Sequence, residues 1–405
     1  MSEKLVKQTI GKVFNQLADT LISGEYGKKP KVLITALGSE HGEDEVVKAC
    51  VSAAKFGIEP TALTTKAYDG VKCEVVKSED DAHKKMEELL NSGDVEAAVT
   101  MHYPFPIGVS TVGRIISPGK GREMFISTTT GTSSTDKVEG MVKNAIYGII
   151  TAKACGIKNP TVGILNIDGA RQTEIALNKL KNNGYELQFA SSNRSDGGAV
   201  MRGNDLLTGS CDVMVMDSLT GNLMIKIFSS YTTGGSYESL GYGYGPGIGE
   251  NFNKLILIIS RASGAPLIDG AIRYAGDLIK GNCIQLAKEE FEKAKKAGLD
   301  SILAELKASK KPQEQVNEVV APVKEVVISQ ISGIEIMDLE DAVKLLWKNN
   351  VYAESGMGCT GPIILVSEAN TNVALKILAE NNYIAKEQID CWCPNPIFLS
   401  GLSEK

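Results

Sequence analysis

The sequence has few histidines, no long apolar run and no excess of positive charge. Its 405 residues include three histidines, so a histidine-rich metal site is not expected. No apolar segment approaches the ~20 residues that a membrane-spanning helix needs, and residues 1–16 are charged and amphipathic, unlike a secretory signal. Lys and Arg number 43 against 49 Asp and Glu, and this formal net charge of −6 excludes a globally basic nucleic-acid binder.

Cysteine and glycine are the residues that occur in informative numbers. The eight cysteines are scattered, which argues against a disulfide scaffold and predicts a reducing, cytoplasmic location. The 41 glycines exceed the usual share of ~7%. The two residue types meet in SGMGCTGP (355–362), where glycines surround Cys359.

Short β-prone runs alternate with amphipathic stretches along most of the chain. Runs such as VLITA (32–36), AAVTM (97–101) and VMVMD (213–217) are β-prone, and stretches with helical spacing lie between several of these runs, near 43–56, 79–91, 136–155 and 171–183. This order predicts a layered α/β fold with a mostly parallel sheet and crossover helices. In such sheets, sites lie beyond the carboxyl ends of the strands, so the turns that follow strands are the places to search.

Composition divides the chain into a large body and a smaller tail. Residues 307–325 are polar, charge-dense and contain proline, which is typical of a linker or a solvated helix. We therefore predict an α/β body over 1–305, a linker over 306–328 and a small C-terminal α/β unit over 329–405. The Gly/Tyr/Ser-rich segment 229–252 is expected to be a long mobile connection or, alternatively, a lid or a loop that docks a partner.

Two turns after predicted strands are candidate anion sites. GSEHGED (38–44) has glycines for a tight turn, and His41 could move a proton there or be merely exposed. ISTTTGTSSTD (126–136) is rich in hydroxyl groups that suit phosphate oxygens, but the lysine of a P-loop is missing. Each turn is also compatible with a plain cap on the next helix.

A third candidate lies at the end of the VMVMD run. Asp217 is followed at once by hydroxyl, glycine and amide residues, which suit an oxyanion or phosphate cradle, although a simple Asp-Ser helix cap fits as well. Upstream, Arg194 and Arg202 offer planar donors for phosphate or carboxylate. The candidate phosphate-binding residues are Arg202, Ser218, Thr220, Gly221 and Asn222.

Cys359 is the candidate nucleophile. Small neighbours leave its sulfur accessible, and backbone N–H groups around it would lower the thiol pKa and stabilise the oxyanion of an acyl adduct. The alternative is a small cysteine packed in a turn, and no histidine is close in the sequence. Cys391 and Cys393 are too few for a structural zinc site without further ligands.

Three segments resemble the phosphate acyltransferases of phospholipid synthesis. They are VLITALGSEHGEDEVVKAC (32–50), TVGILNIDGA (161–170) and CDVMVMDSLTGNLMIKIF (211–228). The resemblance implies a fold of the phosphate acyltransferase and phosphate acetyltransferase type, with two lobes around an acyl–phosphate site. It also implies that Asp217 and the turn that follows it line that cleft.

The chain as a whole is similar to a narrower family, the component C alpha subunits of the glycine reductase complex. Residues 101–142, residues 231–250 and the ESGMGCTGP tail carry this resemblance. It implies that Cys359 carries an acetyl thioester taken from carboxymethylated selenoprotein A, and that inorganic phosphate then releases acetyl phosphate. His41 and Asp217 are the candidate proton-transfer residues.

The same resemblance sets the expected partners. They are a component C beta subunit and selenoprotein A in a hetero-oligomer, with no nucleic acid, membrane, metal or cofactor beyond phosphate as substrate. Two alternatives stay open: an acyltransferase that uses acyl-carrier-protein thioesters, and a non-catalytic scaffold subunit. A dehydrogenase is less favoured, because no GxGxxG follows a predicted strand.

Overall fold

The structure is a computed structural model. It describes residues 29–193, 197–309, 319–332, 334, 338–358, 361–381 and 383–384, together with Gly11, Phe14, Leu17, Ala18 and Leu21. Cys359, Cys391, Cys393 and Arg194, all considered above, lie outside the described residues.

One half of the main sheet is a parallel α/β layer. Its strands are β1 (Lys31–Thr35), β2 (Glu59–Thr64), β3 (Lys72–Val75), β4 (Ala97–Thr100) and β12 (Ile256–Ile258), in the order β3-β2-β1-β4-β12. Helices α1 (Glu43–Ala54) and α2 (Glu79–Ser92) connect these strands. Apart from the edge strand β3, the strands are short and almost fully buried because helices cover both faces of the sheet, as parallel sheets require.

The other half contains the remaining parallel strands. They are β6 (Glu123–Thr132), β7 (Thr161–Leu165), β8 (Gln188–Phe189), β9 (Val200–Met201) and β10 (Val213–Val215). Their helices are α3 (Lys137–Ala154), α4 (Ala170–Asn182), α5 (Gly203–Thr208) and α6 (Ser218–Ser230). Helix α3 is buried along most of its length, in keeping with its small and aliphatic residues.

Two antiparallel strands join the halves into one twelve-stranded sheet. They are β5 (Val109–Ile116), which pairs with β6, and β11 (Gly245–Ile248), which pairs with both β5 and β12. The sheet is therefore mostly parallel with an antiparallel seam, which confirms the predicted α/β fold class. Because β11 belongs to the Gly/Tyr/Ser-rich segment, part of the segment predicted to be a long connection is built into the sheet.

The C-terminal part of the described chain has its own sheet and core. Helices α7 (Ala265–Lys280), α8 (Cys283–Lys296) and α9 (Leu299–Ser309) first complete the body. Strands β13 (Ser329–Ser332), β14 (Ala353–Gly358) and β15 (Gly361–Val366) then form an antiparallel sheet in the order β13-β15-β14. Helices α10 (Leu339–Lys348) and α11 (Thr371–Glu380) cover it, and apolar side chains such as Leu346, Ile364 and Leu378 are fully buried between them.

Candidate functional site

A hairpin of the C-terminal sheet meets the body at a cavity. Strands β14 and β15 pair as far as Gly358 and Gly361, and residues 359 and 360 lie outside the described residues. Met357 and Gly358 line a cavity of about 240 Å³, and we call this space the hairpin cavity. Cys359 is thus the next residue in the chain after one that lines the cavity.

The body side of the hairpin cavity is built from strand ends. Met101 and His102 follow β4, Ser260 and Arg261 follow β12 after one residue, and Thr130 and Gly131 end β6. Both halves of the main sheet therefore contribute their carboxyl ends to one cavity, which is where sites occur in open α/β sheets. Asn222 and Lys226 from α6 complete the polar wall.

Arg261 is held rigidly at the edge of this cavity. Its guanidinium donates to both carboxylate oxygens of Glu79 at 3.1 and 2.8 Å, and also to the Gly38 carbonyl at 3.2 Å. The hydrogen bond from Arg261 lowers the pKa of the Glu79 carboxyl. Gly38 is required here, because a Cβ would lie 2.3 Å from the Arg261 Nη1 atom and the backbone φ is +87°.

A buried carboxyl group, that of Glu238, contacts two side chains that line the hairpin cavity, Tyr244 and Lys226. Glu238 is 4% exposed, its Oε1 accepts from the Tyr244 hydroxyl at 3.0 Å, and the Lys226 ammonium lies 3.7 Å from the same oxygen. Burial raises the pKa of Glu238, and Lys226 opposes that shift. Lys226 therefore carries its positive charge at the cavity wall and offsets a carboxylate in the interior.

A second cavity of about 240 Å³ adjoins the first at Gly131. We call it the hydroxyl cavity, because Ser133, Ser134 and Thr135 line it between β6 and α3. The N-terminal turns of two helices border it, with Lys137 from α3 and Ser218 from α6. Helix N-termini and hydroxyl donors both favour an anion, so this cavity suits a phosphate-sized ligand.

Asp217 is the N-cap of α6 at the border of the hydroxyl cavity. Its carboxylate accepts from the Thr220 amide and from the Thr220 hydroxyl, both at 2.9 Å, and the Lys137 ammonium lies 3.9 Å away. The Asp-Ser cap that the sequence offered as the plain alternative is therefore present. The same residue also lines the cavity, as the resemblance to phosphate acyltransferases implied.

The predicted phosphate-binding residues are divided among different places. Ser218 lines the hydroxyl cavity and Asn222 lines the hairpin cavity, where its Nδ2 donates to the Thr129 carbonyl at 3.0 Å. Thr220 and Gly221 hold the first turn of α6 between them: Thr220 bonds to Asp217, and the Gly221 amide donates to the Asp217 carbonyl at 2.9 Å. Arg202 is exposed at the start of α5 and is absent from the described lining of both cavities.

His41 lies outside the hairpin cavity, next to the segment that bears Arg261. It is exposed, its Nε2 atom is 3.3 Å from the Ala262 carbonyl oxygen, and its ring packs edge-on against Tyr237. Sequence reasoning missed His102 and Arg261, although both follow buried strands. A systematic search of every turn after a strand would have found them.

No metal centre is evident among the described residues, where no three His, Cys, Asp or Glu side chains are grouped to hold an ion. Likewise, in the described ranges no helix is both long enough and apolar enough to cross a bilayer.

Comparison with known proteins assigns the family. A family model described as "Fatty acid synthesis protein" matches residues 30–365. The chain is also 58% identical over 382 residues to the glycine/sarcosine/betaine reductase complex component C subunit alpha of Peptoclostridium acidaminophilum, which covers 94% of this chain and 99% of that protein. This chain belongs to the family of component C alpha subunits. The family predicted from the sequence is thereby confirmed.

More distant relatives cover only part of the chain. A phosphate acyltransferase of Staphylococcus epidermidis is 29% identical over 170 residues, which is 38% of this chain and 50% of that protein. The solved structure of a branched-chain phosphotransacylase from Enterococcus faecalis aligns with a TM-score of 0.45 at 14% identity, covering 61% of this chain and 98% of that one.

Proposed function

We propose that this chain is the acyl-transferring alpha subunit of a reductase component C, and that Cys359 carries the acyl group as a thioester. The observation that carries this proposal is the hairpin cavity. Gly358 lines it, and the thiol-bearing residue follows Gly358 directly in the chain. The cavity also presents the polar groups that acyl transfer needs, among them Asn222 and the cations Lys226 and Arg261.

The proposed transfer to phosphate is a simple displacement. An oxygen of inorganic phosphate attacks the thioester carbonyl carbon, the C–S bond breaks, and the products are acetyl phosphate and the free thiol of Cys359. Negative charge develops on the carbonyl oxygen and then on sulfur. Hydrogen-bond donors and cations held in place near those atoms would stabilise that charge without reorganising, which is the role we assign to Asn222, Lys226 and Arg261.

We place the phosphate in the hydroxyl cavity. The cavity adjoins the hairpin cavity at Gly131, and it combines hydroxyl donors, the ammonium of Lys137 and two helix N-termini. Asp217 orients the first turn of α6 through Thr220, so that Ser218 faces this cavity. In this assignment the phosphate residues predicted from the sequence act in two ways, Ser218 by contact and Thr220 and Gly221 by holding the helix.

The two-carbon unit in this proposal comes from a carboxymethyl group on selenoprotein A. Its C–Se bond breaks, a thiol of the complex supplies the two electrons as it forms a Se–S bond with the selenium, and one carboxylate oxygen leaves as water when the acetyl thioester forms on Cys359. The Peptoclostridium relative is named as a subunit of a complex that reduces glycine, sarcosine or betaine. We accordingly propose a hetero-oligomer of this chain with a component C beta subunit and selenoprotein A. Inorganic phosphate enters this proposal as the second substrate, and no cofactor is proposed.

Replacing Lys137 with methionine tests the phosphate position. Hydrogen bonds to charged groups contribute about 1.5–3 kcal/mol, so we expect Lys137→Met to raise the KM for phosphate about tenfold or more with little change in kcat. Steady-state kinetics at varied phosphate concentration measures this effect. Lys158→Met, which removes an exposed lysine beyond α3, is the control and leaves the KM unchanged. An unchanged KM in Lys137→Met would move phosphate out of the hydroxyl cavity.

Arsenate-dependent turnover tests the proposed activity itself. With the beta subunit present, acetyl phosphate should acylate the chain, and arsenate should take the acyl group and yield acetate after hydrolysis. The proposal predicts release of acetate that depends on both arsenate and this chain. Transfer from purified acyl-carrier-protein thioesters instead would favour the lipid-type acyltransferase, and no turnover with either donor would favour the scaffold role.

A further inference from the structure

The outer face of helix α6 is apolar. Leu219, Leu223 and Ile227 lie on successive turns of this helix and are 81%, 55% and 44% exposed. Tyr231 continues the series directly after the helix and is also exposed. We call these four residues the α6 row. The outer face of a surface helix is normally polar, and neighbouring large apolar side chains left exposed together mark a site of interaction with another molecule.

The α6 row extends from one candidate cavity to the other. Leu219, at its first end, also lines the hydroxyl cavity. Lys226, which lines the hairpin cavity, comes three residues after Leu223 and directly before Ile227. Because residues three or four positions apart are neighbours on a helix surface, Lys226 lies beside the row. A molecule bound to the α6 row therefore also lies next to both cavities.

The charge beside the α6 row is positive. Lys226 is the one charged residue of α6, and its side chain is 52% exposed. The Glu238 carboxyl near its ammonium is buried in the interior. The lysine is therefore the charge that this face presents to a partner, and a complementary partner would carry an acidic side chain opposite it.

The nature of the acyl donor indicates the kind of partner. In the proposed function the two-carbon unit arrives on another protein, so a surface of that protein must contact this chain close to the cavities. The α6 row is such a surface, because it is apolar and adjoins both of them. Tyr231 and Tyr237 expose phenol rings in the segment that follows α6, and tyrosine is enriched in interfaces between proteins.

A second copy of this chain fits the α6 row less well. In a symmetric dimer the same face of both copies meets around a twofold axis, so residues near the axis approach their own counterparts. Lys226 lies near the middle of the row, between Leu223 and Ile227 in the sequence. Such a dimer would bring two ammonium groups together, and like charges at an interface are unfavourable.

We propose that the α6 row docks the protein that delivers the two-carbon unit. This inference rests on the proposed function, in which the acyl donor is carried by a protein. The matching surface of that protein is apolar and bears an acidic side chain opposite Lys226. Docking there places the bound two-carbon unit next to the cavities to which α6 contributes Ser218, Asn222 and Lys226.

The test compares a protein donor with a small donor, using the full chain with its beta subunit. One assay follows acetyl phosphate formed from carboxymethylated selenoprotein A, and the other follows arsenate-dependent acetate release from acetyl phosphate. Loss of a central interface contact commonly weakens binding tenfold or more. We therefore expect Leu223→Glu to raise the KM for carboxymethylated selenoprotein A at least about tenfold with little change in kcat. Acetate release from acetyl phosphate should be unchanged.

Two further variants test charge and position. Leu223→Lys removes the same apolar contact but adds a positive charge, so it should raise the KM for the protein donor less than Leu223→Glu does. Ile175→Glu is the matched control, because Ile175 is 59% exposed on α4 and is absent from the described lining of both cavities. It should leave both assays unchanged.

The outcomes separate this inference from the function beneath it. An unaltered chain that never forms an adduct on Cys359 contradicts the proposed function. A chain that forms the adduct, while Leu223→Glu keeps the KM for the protein donor, overturns the docking surface alone. A larger KM in Leu223→Lys than in Leu223→Glu would overturn the acidic partner surface. Dissociation of a second copy or of the beta subunit in light scattering, with the donor KM unchanged, would assign the α6 row to that partner instead.

Discussion

Cys359→Ala is expected to abolish arsenate-dependent acetate release. The thiolate forms the covalent intermediate in the proposed mechanism, and removal of the nucleophile from a covalent catalyst costs up to about 10⁶-fold. We expect a loss of at least about 10³-fold, measured as kcat/KM with saturating beta subunit. The chain should still fold, because the change removes a single sulfur atom.

The controls for this variant use the remaining cysteines. Cys73→Ala alters a half-buried thiol on strand β3, away from both cavities, and should leave turnover unchanged. Cys50, Cys211 and Cys283 are buried, and burial raises the pKa of each thiol to about 12, so they are poor nucleophiles. Full activity in Cys359→Ala, or its loss in Cys73→Ala, would contradict the assignment.

Gly221→Ala is expected to displace the helix that borders both cavities. A Cβ at this position would lie 1.7 Å from the Thr128 carbonyl oxygen of β6, so the helix or the strand must move. Overpacking of this kind costs about 1–3 kcal/mol of unfolding free energy. Because misplacing catalytic groups by about 1 Å can cost 10²-fold, we expect turnover to fall by about that factor.

Thermal unfolding and arsenate-dependent turnover measure the two effects of Gly221→Ala. The control is Gly203→Ala in the first turn of α5, where a Cβ would meet no atom within 4 Å. This variant should be as stable as the unaltered chain or slightly more stable, since alanine favours helix. If Gly221→Ala and Gly203→Ala showed the same stability and the same turnover, the position of α6 would not depend on its close approach to β6.

Much of the parallel framework could be predicted from the sequence because its strands are continuous apolar runs. VLITA, AAVTM and VMVMD correspond to β1, β4 and β10 within a residue or two at each end. The regions expected to be helical near 43–56, 79–91 and 136–155 likewise match α1, α2 and α3 within a residue or two at each end. The spacing of apolar residues in buried strands and amphipathic helices is a strong local signal, and it predicts these elements without knowledge of the rest of the chain.

The antiparallel seam was missed for a physical reason. Strand β11 (GPGI) contains two glycines and a proline, which normally mark a turn. Gly245 has a φ of +84°, and a Cβ there would lie 1.7 Å from the Val112 carbonyl oxygen, so glycine is required by close packing against β5. Gly245 must be glycine because of Val112, which is more than a hundred residues away in the sequence. Local sequence patterns cannot predict that contact.

The candidate site likewise combines residues that are close in the sequence with residues that only the fold brings together. Asp217, Ser218 and Asn222 were found because they lie together in the sequence, and they do border the two cavities. His102 and Arg261 are more than a hundred residues apart and meet only because β4 and β12 are neighbours in the sheet. The tail that bears Cys359 reaches the same cavity only through the fold of the C-terminal unit.

The central claim is that Cys359 carries the acyl group, and mass spectrometry tests it most directly. The chain would be incubated with its beta subunit and carboxymethylated selenoprotein A without phosphate, then digested and mapped. The account predicts a two-carbon acyl adduct on the peptide containing Cys359, and its loss as acetyl phosphate when phosphate is added. An adduct on another residue, or none on a complex that still produces acetyl phosphate, would contradict it.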